Sequence, residues 1–282
     1  MAKTLIPLLI APALVAISTL VARRWGSRAG GVVSAFPAIV GPVLLILALA
    51  HGSPFAARAA EGALLGLVSL AAFALAYGRA ALRFGWRVSA ALGWVAAAVA
   101  TFVAGAAAGG AGSPVGLLVA AGGLAAAWRA LPTVAPEPAT SAPRRGAIHL
   151  RMASTVLLVA LLSTAAGALG AVAGGMLAAL PVLACVLAVF THREQGGGHA
   201  VALLRGMLAG MGSFVLFCQV VALSIVPYGI APAFVAATGV ALGMQVIAVY
   251  PPTAVHSLLR RQSSAASPAV AAAAGSLRRQ SS

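Results

Sequence analysis

Long apolar segments, separated by short polar ones, make up most of this chain. Nine of them hold about 18 to 22 mostly apolar residues, close to the number that a helix needs to cross a bilayer. The pattern therefore predicts an all-α polytopic membrane protein with nine transmembrane helices. The predicted spans are residues 5–22, 29–50, 59–77, 88–105, 114–131, 152–169, 173–190, 206–225 and 230–250.

One motif occurs twice within these segments. Ala-Gly-Gly begins residues 29–37 and returns in residues 173–181, an offset of 144 positions, each time followed by Ala-x-Pro. Paired glycines let neighbouring backbones approach closely, and the proline removes one helical hydrogen bond. In hydrocarbon, freed backbone groups are tolerated only where protein or a water-filled cavity covers them. The motif therefore predicts an interrupted helix in each copy, with both interruptions facing one site.

The same offset continues beyond the motif and indicates a duplicated chain. It pairs Gly62 with Gly206, Gly66 with Gly210, Ser69 with Ser213, Phe73 with Phe217 and Gly85 with Gly229. Each copy has four predicted spans, and one span lies between the copies. A four-span unit followed by a single crossing re-enters from the opposite side, so we predict a 4+1+4 inverted repeat about an axis in the membrane plane.

The chain accordingly divides into four predicted parts. Residues 1–110 form the first four-helix repeat, and residues 111–148 hold the linking helix and a Pro-rich linker. Residues 149–252 form the second repeat. Residues 253–282 are rich in Ser and Ala and are predicted to be a disordered cytoplasmic tail.

Composition and charge fix the class and the orientation. The chain is 62% hydrophobic and 7% charged, with a net charge of +15. The basic residues lie between apolar runs without interleaved aromatics, so anionic lipids at the cytoplasmic face explain them better than nucleic acid. The positive-inside rule then predicts an inner (plasma) membrane protein with its N-terminus outside and its C-terminus in the cytoplasm. The basic residues on the predicted cytoplasmic side are Arg23, Arg24, Arg28, Arg79, Arg83, Arg87, Arg129, Arg144, Arg145, Arg151, Arg193, Arg205, Arg260, Arg261, Arg278 and Arg279.

Two stretches of the first copy resemble a known group of proteins. They are Arg-Arg-Trp-Gly-Ser-Arg-Ala-Gly-Gly-Val-Val-Ser-Ala-Phe-Pro at residues 23–37 and Leu-Arg-Phe-Gly-Trp at residues 82–86. Both resemble the small four-helix GlpM-like membrane proteins, over residues 5–105 and more faintly over residues 150–250. The second copy lacks the arginines. The resemblance implies a tandem-duplicated four-helix unit and says little about chemistry.

The candidate substrate-binding residues are the two helix interruptions and polar groups deep in the spans, because such groups are costly in hydrocarbon. We predict a site formed by Gly30, Gly31, Ser34, Pro37, Gly174, Gly175, Pro181, Gln219 and Gln245. Each hydroxyl has an alternative role, a bond to its own helix or to a neighbouring one. The glutamines are stronger candidates, since an amide has four hydrogen-bonding sites to satisfy. Each proline alone could equally be a simple kink.

Other polar residues have simpler interpretations. Glu61 lies three residues after Arg58, which favours an interfacial ion pair, although Arg58 and Lys3 could instead attract anions. His192 and His199 flank a predicted cytoplasmic loop and make a poor metal signal. Cys185 and Cys218 fall within predicted spans and are interpreted as buried apolar residues. We predict no metal, no cofactor and no catalytic residue.

These observations favour a transporter or facilitator of a small solute or ion, with a site near the membrane midplane between the repeats. Proton relays usually need acids or histidines within the spans, so passive transport or Na⁺ coupling fits better. The alternative is a non-catalytic membrane partner or assembly subunit. An enzyme acting on lipid-linked substrates is less favoured, because Asp is absent and only three Glu are present. The sequence is also compatible with a homo-oligomer.

Overall fold

The computed structural model describes residues 24–37, 40–107, 113–134 and 180–249, with positions 17, 19–22, 171–172 and 176 in addition. This part of the chain is helical and contains no strand. Its helices are α1 (Ser27–Ser34), α2 (Val40–His51), α3 (Ser53–Ala80), α4 (Trp86–Ala107), α5 (Ser113–Ala130), α6 (Val182–Gln195), α7 (Gly197–Gly210), α8 (Gly212–Tyr228) and α9 (Ile230–Val249).

Single glycines separate several of these helices. Gly52 joins α2 to α3 with φ 86°, and Gly196 joins α6 to α7 with φ 96°. Gly229 joins α8 to α9 with φ 83°. Positive φ strains a residue that has a Cβ, so glycine is the residue that allows such one-residue corners. Each corner reverses the chain without a loop, which keeps neighbouring helices in contact.

Four helices are long and apolar enough to cross a membrane: Ser53–Ala80, Trp86–Ala106, Gly197–Tyr228 and Ile230–Ala248. Two shorter apolar helices, Val40–His51 and Val115–Ala130, accompany them. The all-helical class predicted from the sequence is confirmed for the described residues. The spans predicted at 5–22 and 152–169 lie wholly or mostly outside those residues, as do the linker after residue 134 and the tail.

Two long helices form the centre of the molecule. They are α3 and the rod made by α7 and α8, which continue one another because Met211 between them keeps helical φ and ψ and helical hydrogen bonds. Leu64, Leu67, Phe73, Leu203 and Leu204 of these helices are fully or almost fully buried. By contrast, α4 and α9 expose many large apolar side chains on their outer faces, as membrane helices do toward lipid.

The two central helices run antiparallel. The carbonyl of Ala81, just after α3, lies against Gly197 at the start of α7. Near their middles, Leu67 of α3 and Met211 of the α7–α8 rod line one cavity. Since positions late in α3 meet positions early in α7, the helices cross in opposite directions.

Several sequence expectations differ from the structure at helix ends. Helix α3 begins at Ser53 instead of residue 59, because Pro54 occupies the first turn, where a missing N–H costs nothing. Helix α7 begins at Gly197 instead of residue 206. The loop predicted between His192 and His199 is therefore wrong: His192 lies in α6, His199 lies in α7, and Gly196 alone separates the helices.

Candidate functional site

The helix break at Pro37 follows from the chemistry of proline. Helix α1 ends at Ser34, and the hydrogen bonds after it span three residues instead of four. The Ala35 N–H donates to the Val32 carbonyl (3.1 Å), and the Phe36 N–H donates to the Val33 carbonyl (3.3 Å). Pro37 has no N–H with which to continue the ladder. The chain becomes helical again at α2, where the Gly41 N–H donates to the Pro37 carbonyl at 2.9 Å.

The second break has the same form on its later side. Pro181 precedes α6, and the Cys185 N–H donates to the Pro181 carbonyl at 2.8 Å. The residues before Leu180 are described only at positions 171–172 and 176. Each proline thus lies within three residues of the start of a helix, Pro37 before α2 and Pro181 before α6.

A cavity of about 50 Å³ lies between the two breaks, where α3 crosses the α7–α8 rod. Its wall is formed by Ser34, Ala35, Phe36, Val40, Leu67, Leu70, Leu180, Pro181, Leu183, Ala184, Met207, Met211 and Phe214. Ser34 supplies the one polar side chain of this wall, and its hydroxyl donates to the Gly31 carbonyl at 2.7 Å. The space suits a few water-sized groups, and backbone groups at the breaks are its other polar features.

A polar contact joins α1, α8 and α9 next to this cavity. The Gln245 amide nitrogen donates to the Val32 carbonyl, in the last turn before the first break. The Ser213 Oγ lies 2.8 Å from the Gln245 Oε1 and 2.8 Å from the Gly210 carbonyl, so its single proton can serve either acceptor. Gln245 therefore links the end of the broken helix to α9 and α8.

The predicted site residues have different roles in the structure. Ser34 and Pro181 line the cavity, and Pro37 is buried at the break. Gln219 is half-buried on α8 and is not part of the cavity wall. Gly174 and Gly175 lie outside the described residues.

The first glycine pair packs against a helix instead of lining the cavity. Gly30 and Gly31 are buried in α1, and a Cβ on Gly31 would collide with the carbonyl of Leu203 in α7. Without a side chain, α1 and α7 can touch backbone to backbone. Bulk at Gly31 would therefore separate two helices, and neither Gly30 nor Gly31 is among the residues that line the cavity.

Hydroxyls and histidines meet in pairs that the sequence did not reveal. The Tyr77 hydroxyl lies 3.3 Å from His192 Nδ1, with the two rings edge to face. The Ser27 Oγ lies 3.2 Å from His199 Nδ1 and donates to Gln195 Oε1 at 3.3 Å. Both pairs join residues more than 100 positions apart in the chain. Composition alone gives no signal for such contacts.

His192 is partly buried at the end of α6, beyond the predicted span 173–190. Burial disfavours the charged imidazolium and lowers the pKa of His192 from its ordinary value. In the described part of the chain, no three His, Cys, Asp or Glu residues stand close enough to hold a metal ion. Cys185 and Cys218 are free thiols.

One end of the helix bundle is rich in arginine, and we call it the arginine end. It includes the start of α1, the α3–α4 and α6–α7 corners and the end of α5. Contacts between these segments bring them together. Arg193 stacks on the Trp86 ring at 5.0 Å, and Arg205 stacks on the Trp128 ring at 4.5 Å. Apart from Arg58, the described arginines all belong to these segments or flank them: Arg24, Arg28, Arg79, Arg83, Arg87, Arg129, Arg193 and Arg205.

Arginines from two distant parts of the chain donate hydrogen bonds to the carbonyl groups at the end of α5. The last carbonyls of a helix lack intrahelical donors. Arg79 donates to the Ala130 carbonyl at 3.3 Å, and Arg205 donates to the Leu131 carbonyl at 2.5 Å. The expected ion pair of Arg58 with Glu61 is not formed, and neither residue has a charged partner among the residues described. An exposed ion pair of this kind contributes little to the stability of the folded protein, so its absence costs little free energy.

Comparison with known proteins gives a family match in the first part of the chain. Residues 4–108 match the model of DUF3147, a family described as a protein of unknown function. No curated protein and no solved structure matches the chain. The matched stretch coincides with the first predicted four-helix repeat, residues 1–110, and it does not link the chain to the GlpM-like proteins.

Proposed function

We propose that this protein is a transporter or facilitator of a small solute, built as nine helices in a 4+1+4 inverted repeat in the inner membrane. Its substrate site is the cavity at the crossing of α3 with the α7–α8 rod. The observation that carries the proposal is the position of this cavity, between two proline breaks that come from separate copies of one motif.

Helix boundaries support the repeat. At the offset of 144 positions, Gly52 corresponds to Gly196, and both have positive φ. The first residue of α4, Trp86, corresponds to Ile230, the first residue of α9. Two such coincidences are what a duplicated fold would produce, since matching corners preserve matching helix lengths.

Close backbone contacts support a two-fold relation between the copies. A Cβ on Gly62 would collide with the carbonyl of Val172, and a Cβ on Gly206 would collide with the carbonyl of Arg28. Gly62 and Gly206 are equivalent by the offset, and so are Arg28 and Val172. Each copy therefore makes the same contact with the other, which is the signature of an isologous interface.

The antiparallel crossing supports an axis in the membrane plane. Helix α3 and the α7–α8 rod occupy equivalent positions in the two copies. A two-fold axis along the membrane normal would make equivalent spans parallel, whereas an axis in the plane makes them antiparallel.

The cavity fits a site on this axis. Its wall contains four pairs of equivalent positions: Phe36 with Leu180, Val40 with Ala184, Leu67 with Met211, and Leu70 with Phe214. A site on a two-fold axis can be reached equally from either side of the membrane when the two copies exchange conformations. This is the arrangement that alternating access requires.

The chemistry of the wall favours a small uncharged solute. Among the described residues, Ser34 supplies the polar side chain of the wall, and none of the lining residues is ionisable. Partly dehydrated ions need compensating charges or several carbonyls, which an apolar wall supplies only at the two breaks. We therefore infer passive flux, with the arginine end facing the cytoplasm.

Cysteine accessibility in proteoliposomes tests this proposal. In a chain lacking Cys185 and Cys218, Ala184→Cys should react with methyl methanethiosulfonate from the aqueous phase. Ala188→Cys, buried one turn further along α6 and outside the cavity wall, should stay unreactive and is the matched control. Overpacking costs about 1–3 kcal/mol, so modification of Ala184→Cys should slow urea or formamide flux about ten- to a hundredfold.

Two results would count against transport through this cavity. One is equal reactivity of Ala184→Cys and Ala188→Cys, and the other is flux unchanged by modification at Ala184→Cys. If the purified chain carries neither solute and gains activity only with another subunit, the partner-subunit alternative replaces the transporter.

A further inference from the structure

An open groove of about 590 Å³ lies at the arginine end, between the end of α3 and the outer face of α4. Its lining combines two arginines, Arg79 and Arg83, with the large apolar side chains of Leu82, Phe84, Leu92 and Val95. The groove is separate from the central cavity, and the two share no lining residue.

Within the described residues, the positive charge of the groove has no acidic partner. Arg79 lies in the last turn of α3, Arg83 lies in the turn that follows it, and both line the groove. Arg79 uses one nitrogen to donate to the Ala130 carbonyl, which positions its guanidinium. Arg83 is exposed. In the described ranges no carboxylate pairs with either arginine, so an external anion can bind both.

The apolar residues that line the groove are exposed. Phe84 is 51% exposed and Val95 is 62% exposed. Leu92 and Val95 lie on α4, whose outer face continues with exposed Val99 and Phe102. This apolar lining is therefore continuous with the surface that α4 would present to lipid tails.

We propose that this groove binds one anionic glycerophospholipid. Arg79 and Arg83 hold its phosphate, and one acyl chain lies along Leu92 and Val95. Free phosphate would leave the apolar residues of the groove uncovered. A lipid instead offers a phosphate to the arginines and an acyl chain to the apolar residues. The site requires neither the repeat nor the transport activity, so it stands or falls separately from the proposed function.

Lipid binding to the purified full-length chain tests the proposal. Dissociation constants are measured in detergent for phosphatidylglycerol and for phosphatidylcholine with the same acyl chains. An arginine near anionic lipid contributes about 1 kcal/mol, so Arg83→Gln should weaken phosphatidylglycerol binding about fivefold and the double variant Arg79→Gln/Arg83→Gln about thirtyfold. Phosphatidylcholine should bind the unmodified chain more weakly than phosphatidylglycerol.

Arg87→Gln is the matched control, because Arg87 stacks on the Trp86 ring at 5.2 Å and is not part of the groove wall. It should leave phosphatidylglycerol binding unchanged. Arg83→Gln removes no contact within the described chain, so its effect does not depend on the bond of Arg79 to α5. Equal affinity for the two lipids, or full affinity in the double variant, would overturn the proposal. So would displacement of the lipid by millimolar inorganic phosphate, which would identify a free-anion site.

Discussion

At the scale of single residues, the contact between Tyr77 and His192 places a partly buried imidazole beside a hydroxyl. The His192 Nδ1 faces the Tyr77 hydroxyl at 3.3 Å. Partial burial removes water that would stabilise the imidazolium, and the pKa of His192 falls. A neutral imidazole can then accept a hydrogen bond from Tyr77.

This lowered pKa predicts a pH-dependent stability. The unfolded chain has a histidine pKa of about 6.5, so below that pH it binds a proton that the folded chain resists. The stabilisation is complete above pH ~6.5 and is lost as the pH falls toward the lower folded-state pKa. Thermal unfolding in detergent between pH 7.5 and 5.5 should show a steeper decline for the unmodified chain than for His192→Gln. Identical slopes would contradict the role of His192.

The residue scale also shows where sequence reasoning stops. The proline breaks were predictable because a missing N–H acts within a few residues of the chain. The Tyr77–His192 and Ser27–His199 contacts join residues over 100 positions apart, and only the tertiary fold brings them together. Gly31 carried a correct signal for close approach, yet the sequence could not tell a packed helix from a cavity.

At the scale of helices, the packing of α1 on α7 depends on glycine. Gly31 faces the Leu203 carbonyl, and Gly206 faces the Arg28 carbonyl. Helix ends were less predictable than helix existence. The triple glycine at 196–198 signals a loop by composition, whereas the structure uses Gly196 as a corner and begins α7 at Gly197.

Substitution of Gly206 tests this helix contact. A methyl group there has to displace the backbone at Arg28, so Gly206→Ala should destabilise the protein by about 1–3 kcal/mol. Gly239→Ala is the control, since nothing lies within 4 Å of its added Cβ. A solvent- or lipid-facing helical Gly→Ala change stabilises by up to about 1 kcal/mol. Thermal unfolding of both variants should therefore shift in opposite directions; equal shifts would exclude a close α1–α7 contact.

At the scale of the whole molecule, the positive charge of the described arginines lies mostly at one end of the bundle. Eight of the described arginines lie at the arginine end, while Arg58 stands in the opposite half of α3. The sequence predicts this separation from the positions of the basic residues between nine predicted spans. In the proposed 4+1+4 arrangement, α5 is the odd span that would bring the arginines of both copies to one side.

Labelling in intact cells tests this orientation. Single cysteines near Thr140 and near Arg261 should be shielded from impermeant thiol reagents, since both positions are predicted to lie in the cytoplasm. A cysteine near Gly110 should be labelled from outside. Permeabilised cells, in which all three should react, provide the control. Labelling near Thr140 but not near Gly110 would exclude the nine-span arrangement and the inverted relation of the copies.

The contact of α1 with α7 can form only after α7 has been synthesised. At about 5 to 20 residues per second, the roughly 170 residues between Gly31 and Leu203 take about 10 to 35 s to make. An eight-residue helix such as α1 has little stability of its own. During that interval the glycine face of α1 stays uncovered, because the helix that packs against it has not yet been made.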